Sequence, residues 1–148
     1  MAVKNRFAEL HDEITAWRRD LHEHPEILFE THRTSAIVAE KLKEFGCDEI
    51  VTGIGRTGVV GVIKGRTNTS GKVIGMRADM DALPMPEETG LPYASKTPGA
   101  MHACGHDGHT AMLLGAAIVI TAGILIIWRE RKLGLERAKG RKAMTPQG

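Results

Sequence analysis

The sequence predicts an α/β domain, and three features of its 148 residues support this fold class. Two segments near the N-terminus carry apolar residues at the spacing of an α-helix. A stretch rich in Val, Ile and Gly follows them, which is typical of short strands joined by turns. The length suits a single domain of ~100–150 residues, and an apolar content of 42% is too high for a disordered chain.

The two predicted helices have recognisable ends. In the first, apolar residues recur at steps of three and four, as one helix face requires: Phe7, Leu10, Ile14, Trp17 and Leu21. Pro25 ends this helix, because the residue before a proline avoids the α region. The second helix is predicted to begin near Thr34 or Ser35, either of which can cap its free N–H groups, and to end at Gly46.

Strands are predicted in the middle of the chain. Residues 50–65 read as short strands with glycines at their turns. Residues 73–76 are apolar and predict a further strand, which leads directly into the polar residues 77–84. Polar residues at the carboxyl end of a buried strand lie where open α/β sheets bind their ligands.

Composition narrows the compartment and the partners. Cys47 and Cys104 are too few for a disulfide scaffold and suit a reducing compartment, and the charged first 20 residues lack the apolar segment of a secretory signal. Residues 1–128 have a formal net charge of −3, whereas residues 129–148 have +5. No aromatic residue lies among these basic residues, so membrane-flanking charge explains them more simply than nucleic-acid binding.

Residues 111–128 form the longest uncharged stretch before the basic segment. As a helix this stretch would be about 27 Å long, just short of the ~30 Å hydrocarbon core of a bilayer. One interpretation is a transmembrane helix whose basic flank stays on the cytoplasmic side. The other is a buried helix of the α/β domain, which can be apolar all round.

Residues 102–109 hold five potential metal ligands in eight positions, among them Cys104, His106 and Asp107. The intervening Gly105 lets the backbone bend, so that the thiolate and the imidazole can converge on one ion. These donors suit Zn²⁺ or a similar first-row metal, and Asp107 can add an oxygen. A structural zinc site needs a second such pair, which the sequence lacks, so a catalytic site fits better.

Two other polar segments are candidates of different strength. Asp79 and Asp81 alternate with their neighbours at the end of the predicted strand, so both carboxylates are expected to point the same way. The alternative for this pair is an exposed acidic loop. Residues 20–26, which include His22 and Glu26, lie at the end of the first helix and are interpreted from pattern alone as a solvated terminus without chemistry.

Four segments together resemble one family: residues 17–26, 55–58, 77–84 and 101–110. They are similar to the N-terminal part of the metal-dependent amidohydrolases that include hippurate hydrolase, N-acyl-amino-acid deacetylase and the auxin-conjugate hydrolases. The resemblance covers about residues 5–117. It implies the α/β catalytic domain of phosphorylase/hydrolase-like metallopeptidases, with a two-metal centre of Zn²⁺ or Mn²⁺. It also implies a cytoplasmic enzyme, often homo-oligomeric, that hydrolyses the amide bond of an N-acyl amino acid.

The resemblance also assigns roles to residues. Cys104 and His106 match metal ligands of the family, and Asp81 matches a carboxylate that orients a metal-binding side chain. The further metal-ligand candidates are Asp79, Asp107 and His109. The family's general base is a glutamate that follows the histidine motif, and no residue here matches it.

The resemblance ends near residue 117, so the sequence predicts a partial catalytic domain over 1–117, followed by an unrelated apolar helix and a basic tail over 118–148. The family's lid and dimerisation domain is then missing, as after a deletion or frame change that joins two genes. Activity of this chain alone is therefore expected to be impaired or absent. The alternative function is a catalytically dead, membrane-anchored remnant that at most binds metal.

Overall fold

The computed structural model describes residues 2–65, 67 and 69–143 of the chain. It confirms the α/β class, with three helices and a two-stranded sheet in the described part. In chain order the elements are α1 (Ala2–Glu23), α2 (His32–Glu44), β1 (Glu49–Ile54), β2 (Gly58–Val62) and α3 (His106–Ala143).

The core lies between α1 and α3. Leu10 and Leu21 of α1 are buried, which confirms the apolar face predicted from their spacing. The buried apolar side chains of α3 are small or branched: Ala111, Leu114 and Ala117. At Gly115 a Cβ atom would lie 2.8 Å from Cδ1 of Ile14, so a larger residue there would force the Ile14 side chain to move. This packing fixes the start of α3 against the end of α1.

The start of α2 differs from the prediction. The helix begins at His32, so Thr34 lies inside its first turn and is not its cap. The carboxylate of Glu26 takes that role, because its two oxygens accept hydrogen bonds of 2.8 Å from the backbone N–H groups of Arg33 and Thr34. The predicted end is confirmed, since Gly46 follows the helix with φ of +80°.

Of the predicted strands, one region is confirmed and one prediction is wrong. β1 and β2 pair antiparallel as a hairpin, with a bulge between Thr52 and Ile54. Residues 73–76 are not a strand, and Val73 and Ile74 are 87% and 90% exposed. An apolar run becomes a strand only when a neighbour accepts and donates its backbone hydrogen bonds. Among the described residues no strand pairs with this segment.

α3 is one continuous helix that passes the predicted boundary at 117/118 without a break. Within the described residues, His106–Ile124 is long and apolar enough to cross a membrane, with a mean hydropathy of 1.4, and 39% of it is buried inside the fold. A core helix of a soluble protein passes the same test, so the membrane interpretation stays a prediction. Side chains beyond Ile124, including the basic segment, lie outside what the structure describes.

Candidate functional site

His106 is the first residue of α3 and is oriented by Asp81. Gly105, with φ of +83°, makes the turn that places His106 there. The Nδ1 of His106 lies 2.8 Å from the backbone carbonyl oxygen of Asp81 and 3.0 Å from its carboxylate Oδ1. Both partners are acceptors, so Nδ1 is the nitrogen that donates, and Nε2 is not engaged by any of the described residues. This is the arrangement of a histidine prepared to bind a metal ion.

The segment that carries Asp81 is held beside the metal-ligand motif by backbone hydrogen bonds. Leu83 and Met101 exchange two N–H···O bonds of 2.9 and 3.0 Å. One residue earlier, the N–H of Ala82 donates to the carbonyl oxygen of Glu26 at 2.8 Å. These contacts bring the polar residues that follow the predicted strand against the start of α3, although the strand itself is absent.

Asp79 and Asp81 do not act as a matched pair. The carboxylate of Asp79 forms an ion pair with Arg77, and this hydrogen bond holds the pKa of Asp79 below its usual value. Its backbone carbonyl accepts a hydrogen bond of 3.0 Å from the Thr110 hydroxyl. Asp81 alone contacts His106. The two carboxylates, which were expected to point the same way, therefore have different partners: Arg77 for Asp79 and His106 for Asp81.

Cys104 and His109 flank His106 in sequence, and both are exposed to solvent. Cys104 is a free, exposed thiol two residues before His106, and the ring of His109 lies 5.6 Å from that of His106. Within the described residues, however, no three His, Cys, Asp or Glu side chains converge where they could hold a metal ion. The thiol of Cys104 and the imidazole of His106 are donors that suit a first-row metal. Together they are two ligands, fewer than a complete metal site needs, so their metal-binding role stays a prediction.

Asp107, in contrast to Cys104 and His109, points into the core. Its side chain is fully buried, and Oδ2 lies 2.7 Å from Nδ1 of His22 and 2.8 Å from Nε of Arg18. These contacts do not favour Asp107 as a metal ligand. His22 in turn places Nε2 3.2 Å from Oε1 of Glu87, and both of its nitrogens can donate at once only in the imidazolium form.

Glu87 completes this buried cluster as an ionised acceptor. Burial works to raise its pKa, but hydrogen bonds from the Thr89 hydroxyl, the backbone N–H of Ser95 and His22 outweigh burial, and the pKa of Glu87 is lowered. Its oxygens are thereby committed to structural hydrogen bonds. Glu87 also precedes the histidine motif in sequence, whereas the family's general base follows it, so Glu87 does not match that base.

His102 is buried beside the cluster. It is 3% exposed, its ring centre lies 6.3 Å from that of His22, and burial lowers its pKa. Neither of its ring nitrogens, nor Oδ1 of Asp107, has a hydrogen-bond partner in the described part of the chain. In the sequence His102 belongs to the ligand-rich residues 102–109, but in the structure its side chain is buried beside His22.

Sequence reasoning missed the cluster formed by Arg18, His22 and Glu87. The segment around His22 was interpreted as a solvated helix end, yet the His22 side chain is 4% exposed. One signal was available: His22 directly follows Leu21 and lies one helical turn after Arg18, at the border of the apolar face. Besides Arg18, its partners Glu87 and Asp107 are 65 and 85 residues away in sequence, so no local pattern identifies those two.

Comparison with known proteins decides the family. Residues 75–123 match the model of "Peptidase family M20/M25/M40". Hippurate hydrolase of Campylobacter jejuni is 55% identical over 109 residues, which are 74% of this chain and 28% of that enzyme. The chain belongs to the M20/M25/M40 peptidase family. This confirms the resemblance drawn from the four sequence segments.

Two further relatives and one solved structure match in the same way. N-acyl-L-amino acid amidohydrolase of Geobacillus stearothermophilus is 46% identical over 80% of this chain and 31% of that protein. Thermostable carboxypeptidase 1 of Saccharolobus solfataricus is 44% identical over 93% of this chain and 34% of that protein. A Bacillus subtilis crystal structure, described as a dinuclear metal binding peptidase of the M20 family, superposes with a TM-score of 0.73 at 44% identity, over 79% of this chain and 32% of that one.

The chain spans about a third of the length of these M20 relatives. The family model continues to residue 123, and the carboxypeptidase match includes 93% of the chain, so similarity extends beyond residue 118. The separate origin assigned to residues 118–148 stays a prediction.

Proposed function

We propose that this chain carries part of the metal centre of an M20-type hydrolase that cleaves the amide bond of N-acyl amino acids. The observation that carries the proposal is the hydrogen bonding of His106, whose Nδ1 is held by Asp81 while Nε2 remains available. The names of two relatives, a hippurate hydrolase and an N-acyl-L-amino acid amidohydrolase, support the substrate class.

Cys104 and His106 are the residues proposed to hold a divalent metal ion, Zn²⁺ or Mn²⁺, with His109 as a further candidate, whereas the carboxylate of Asp79 is held by Arg77 instead. These residues would hold the ion, and the chemistry it would supply is Lewis-acid polarisation of the scissile carbonyl. Asp81 has the task of fixing the tautomer and the orientation of the His106 ring. Asp107 is assigned to the fold instead, because its carboxylate is fully buried between Arg18 and His22.

The location that we propose is the cytoplasm. The membrane-anchored alternative, with a catalytically dead remnant that binds metal, depends on the length and composition of one helix. That helix contributes Ala111, Leu114 and Ala117 to the core against α1, so its first turns are already occupied by protein contacts.

Hydrolysis by this chain is expected to be slow. No residue matches the glutamate that follows the histidine motif as the family's general base, and the Glu87 side chain is 2% exposed and already hydrogen-bonded. Release of benzoate from N-benzoylglycine in the presence of Zn²⁺ or Mn²⁺ measures this directly. Turnover at the rate of the Campylobacter jejuni hippurate hydrolase, assayed in parallel, would contradict the expectation.

Replacing Asp81 by alanine tests the observation that carries the proposal. The substitution removes the 3.0 Å contact of the carboxylate with Nδ1 but leaves the 2.8 Å contact with the backbone carbonyl. We therefore expect the dissociation constant for Co²⁺ to rise by about tenfold, the lower end of the range for residues that support a ligand. Titration followed by visible absorption gives this value.

Asp79→Ala is the matched control for Asp81→Ala. Asp79 is two residues away, and its carboxylate contacts Arg77 instead of His106. Its replacement is expected to leave the dissociation constant for Co²⁺ within about a factor of two. A larger effect at Asp79 than at Asp81 would show that the roles of the two carboxylates are exchanged.

A further inference from the structure

We infer that His22 is a positioning residue for the metal-binding turn: by holding Asp107 from α1, it sets the rotation of the first turn of α3 and thereby the direction of the His106 ring. The inference rests on the proposed metal-binding role of His106. It gives the buried cluster around His22 a task that extends beyond stability.

The first turn of α3 is held from two directions. On one side His106 is hydrogen-bonded to Asp81. On the other side the next residue, Asp107, is hydrogen-bonded to His22 and forms an ion pair with Arg18. Neighbouring residues on an α-helix project about 100° apart, because 3.6 residues make one turn. A helix end fixed at two such points cannot rotate about its axis without breaking one set of contacts.

His22 is better suited to this task than Arg18. The Arg18 side chain is 34% exposed, whereas that of His22 is 4% exposed, and the ring connects three parts of the chain. Nδ1 contacts Asp107 of α3, and Nε2 contacts Glu87, whose other oxygen accepts a 2.6 Å hydrogen bond from the Ser95 N–H. The end of α1, the start of α3 and the loop of residues 87–95 therefore share one buried side chain.

The two ring nitrogens of His22 can be tested separately. The side-chain amide of asparagine can occupy the place of Nδ1 and donate to Asp107, whereas that of glutamine reaches the place of Nε2 and donates to Glu87. If the ring serves only to fill space, His22→Asn and His22→Gln should have similar effects. If the contact with Asp107 positions the turn, only His22→Asn should preserve it.

The experiment compares His22→Asn, His22→Gln and His22→Ala in the full chain. The first readout is the ¹⁵N spectrum of the His106 ring, which reports whether Nδ1 carries the proton and needs no metal. The second is the dissociation constant for Co²⁺. We expect His22→Asn to keep the unsubstituted ring signals and an affinity within about threefold, and the other two to shift the signals and to weaken Co²⁺ binding by about 10- to 100-fold.

His24→Gln is the matched control, since His24 lies just after α1 and its side chain, among the described residues, makes its polar contacts with Asp20 alone, with Nδ1 2.8 Å from the Asp20 backbone carbonyl. It should change neither readout. Equal effects of Asn and Gln at position 22, or unchanged His106 signals in all three variants, would overturn the inference. Absence of Co²⁺ binding to the unsubstituted chain would instead overturn the proposed metal site, and the ring signals would still decide whether His22 orients His106. Should His22→Ala fail to fold, the Asn and Gln pair decides the outcome.

Discussion

Replacement of Asp107 by alanine is expected to lower the free energy of unfolding by about 3 kcal/mol. The carboxylate is fully buried, accepts a hydrogen bond from His22 and forms an ion pair with Arg18. Its removal leaves the buried His22 without its closest anionic partner, and breaking a buried ion pair costs ~3–5 kcal/mol. The lower end applies because the Arg18 side chain, 34% exposed, can turn toward water. Urea unfolding followed by circular dichroism measures the change.

Asp12→Ala provides the comparison for this measurement. Asp12 is also an aspartate with a histidine neighbour, but both side chains of its pair with His11 are exposed. Its loss should change the free energy of unfolding by no more than about 0.5 kcal/mol. Equal effects of the two substitutions would contradict the view that the Asp107 cluster stabilises the fold.

The helices could be predicted from sequence because their determinants are local. A period of three and four residues identified α1, and Leu10 and Leu21 are buried as that period requires. The start of α2 was missed because Glu26, five residues before Thr31, supplies the capping carboxylate across a turn. A short polar side chain at the expected place is a weaker signal than a cap from outside the helix.

The predicted strand at residues 73–76 shows where prediction from local sequence fails. An apolar, β-branched run satisfies the local requirements of a strand, but its hydrogen bonds must come from another part of the chain. Val73 and Ile74 remain exposed because no described strand pairs with them. Strand propensity can therefore be read locally, whereas strand pairing cannot.

The candidate site, too, could be predicted from sequence only in part. Cys104 and His106 were found from sequence because potential ligands this dense within eight residues are rare, and Asp81 was added by resemblance to a family that the comparisons confirm. Asp107 was grouped with them because the start of α3 was unknown. Once the helix begins at His106, the next residue projects about 100° away, into the core. Adjacent residues thus serve different purposes.

Replacement of Cys104 by serine is expected to abolish the thiolate-to-cobalt absorption of the Co²⁺-loaded chain and to weaken binding by more than about 100-fold. The reason is that loss of a ligand should exceed the 10- to 100-fold effect of losing a residue that only supports one. Cys104 is exposed in the turn before His106, so its sulfur is open to an ion in solution. Titration with Co²⁺ at fixed pH measures both quantities.

Cys47→Ser is the control that makes this result specific. Cys47 is the other free cysteine, but it is half-buried, and burial together with the nearby Asp48 raises the pKa of its thiol. Because the thiolate is the metal ligand, a thiol that keeps its proton binds Co²⁺ poorly. Cys47→Ser should therefore retain the absorption band and the affinity of the unsubstituted chain. A band that survives Cys104→Ser but disappears in Cys47→Ser would move the metal site away from His106 and the start of α3.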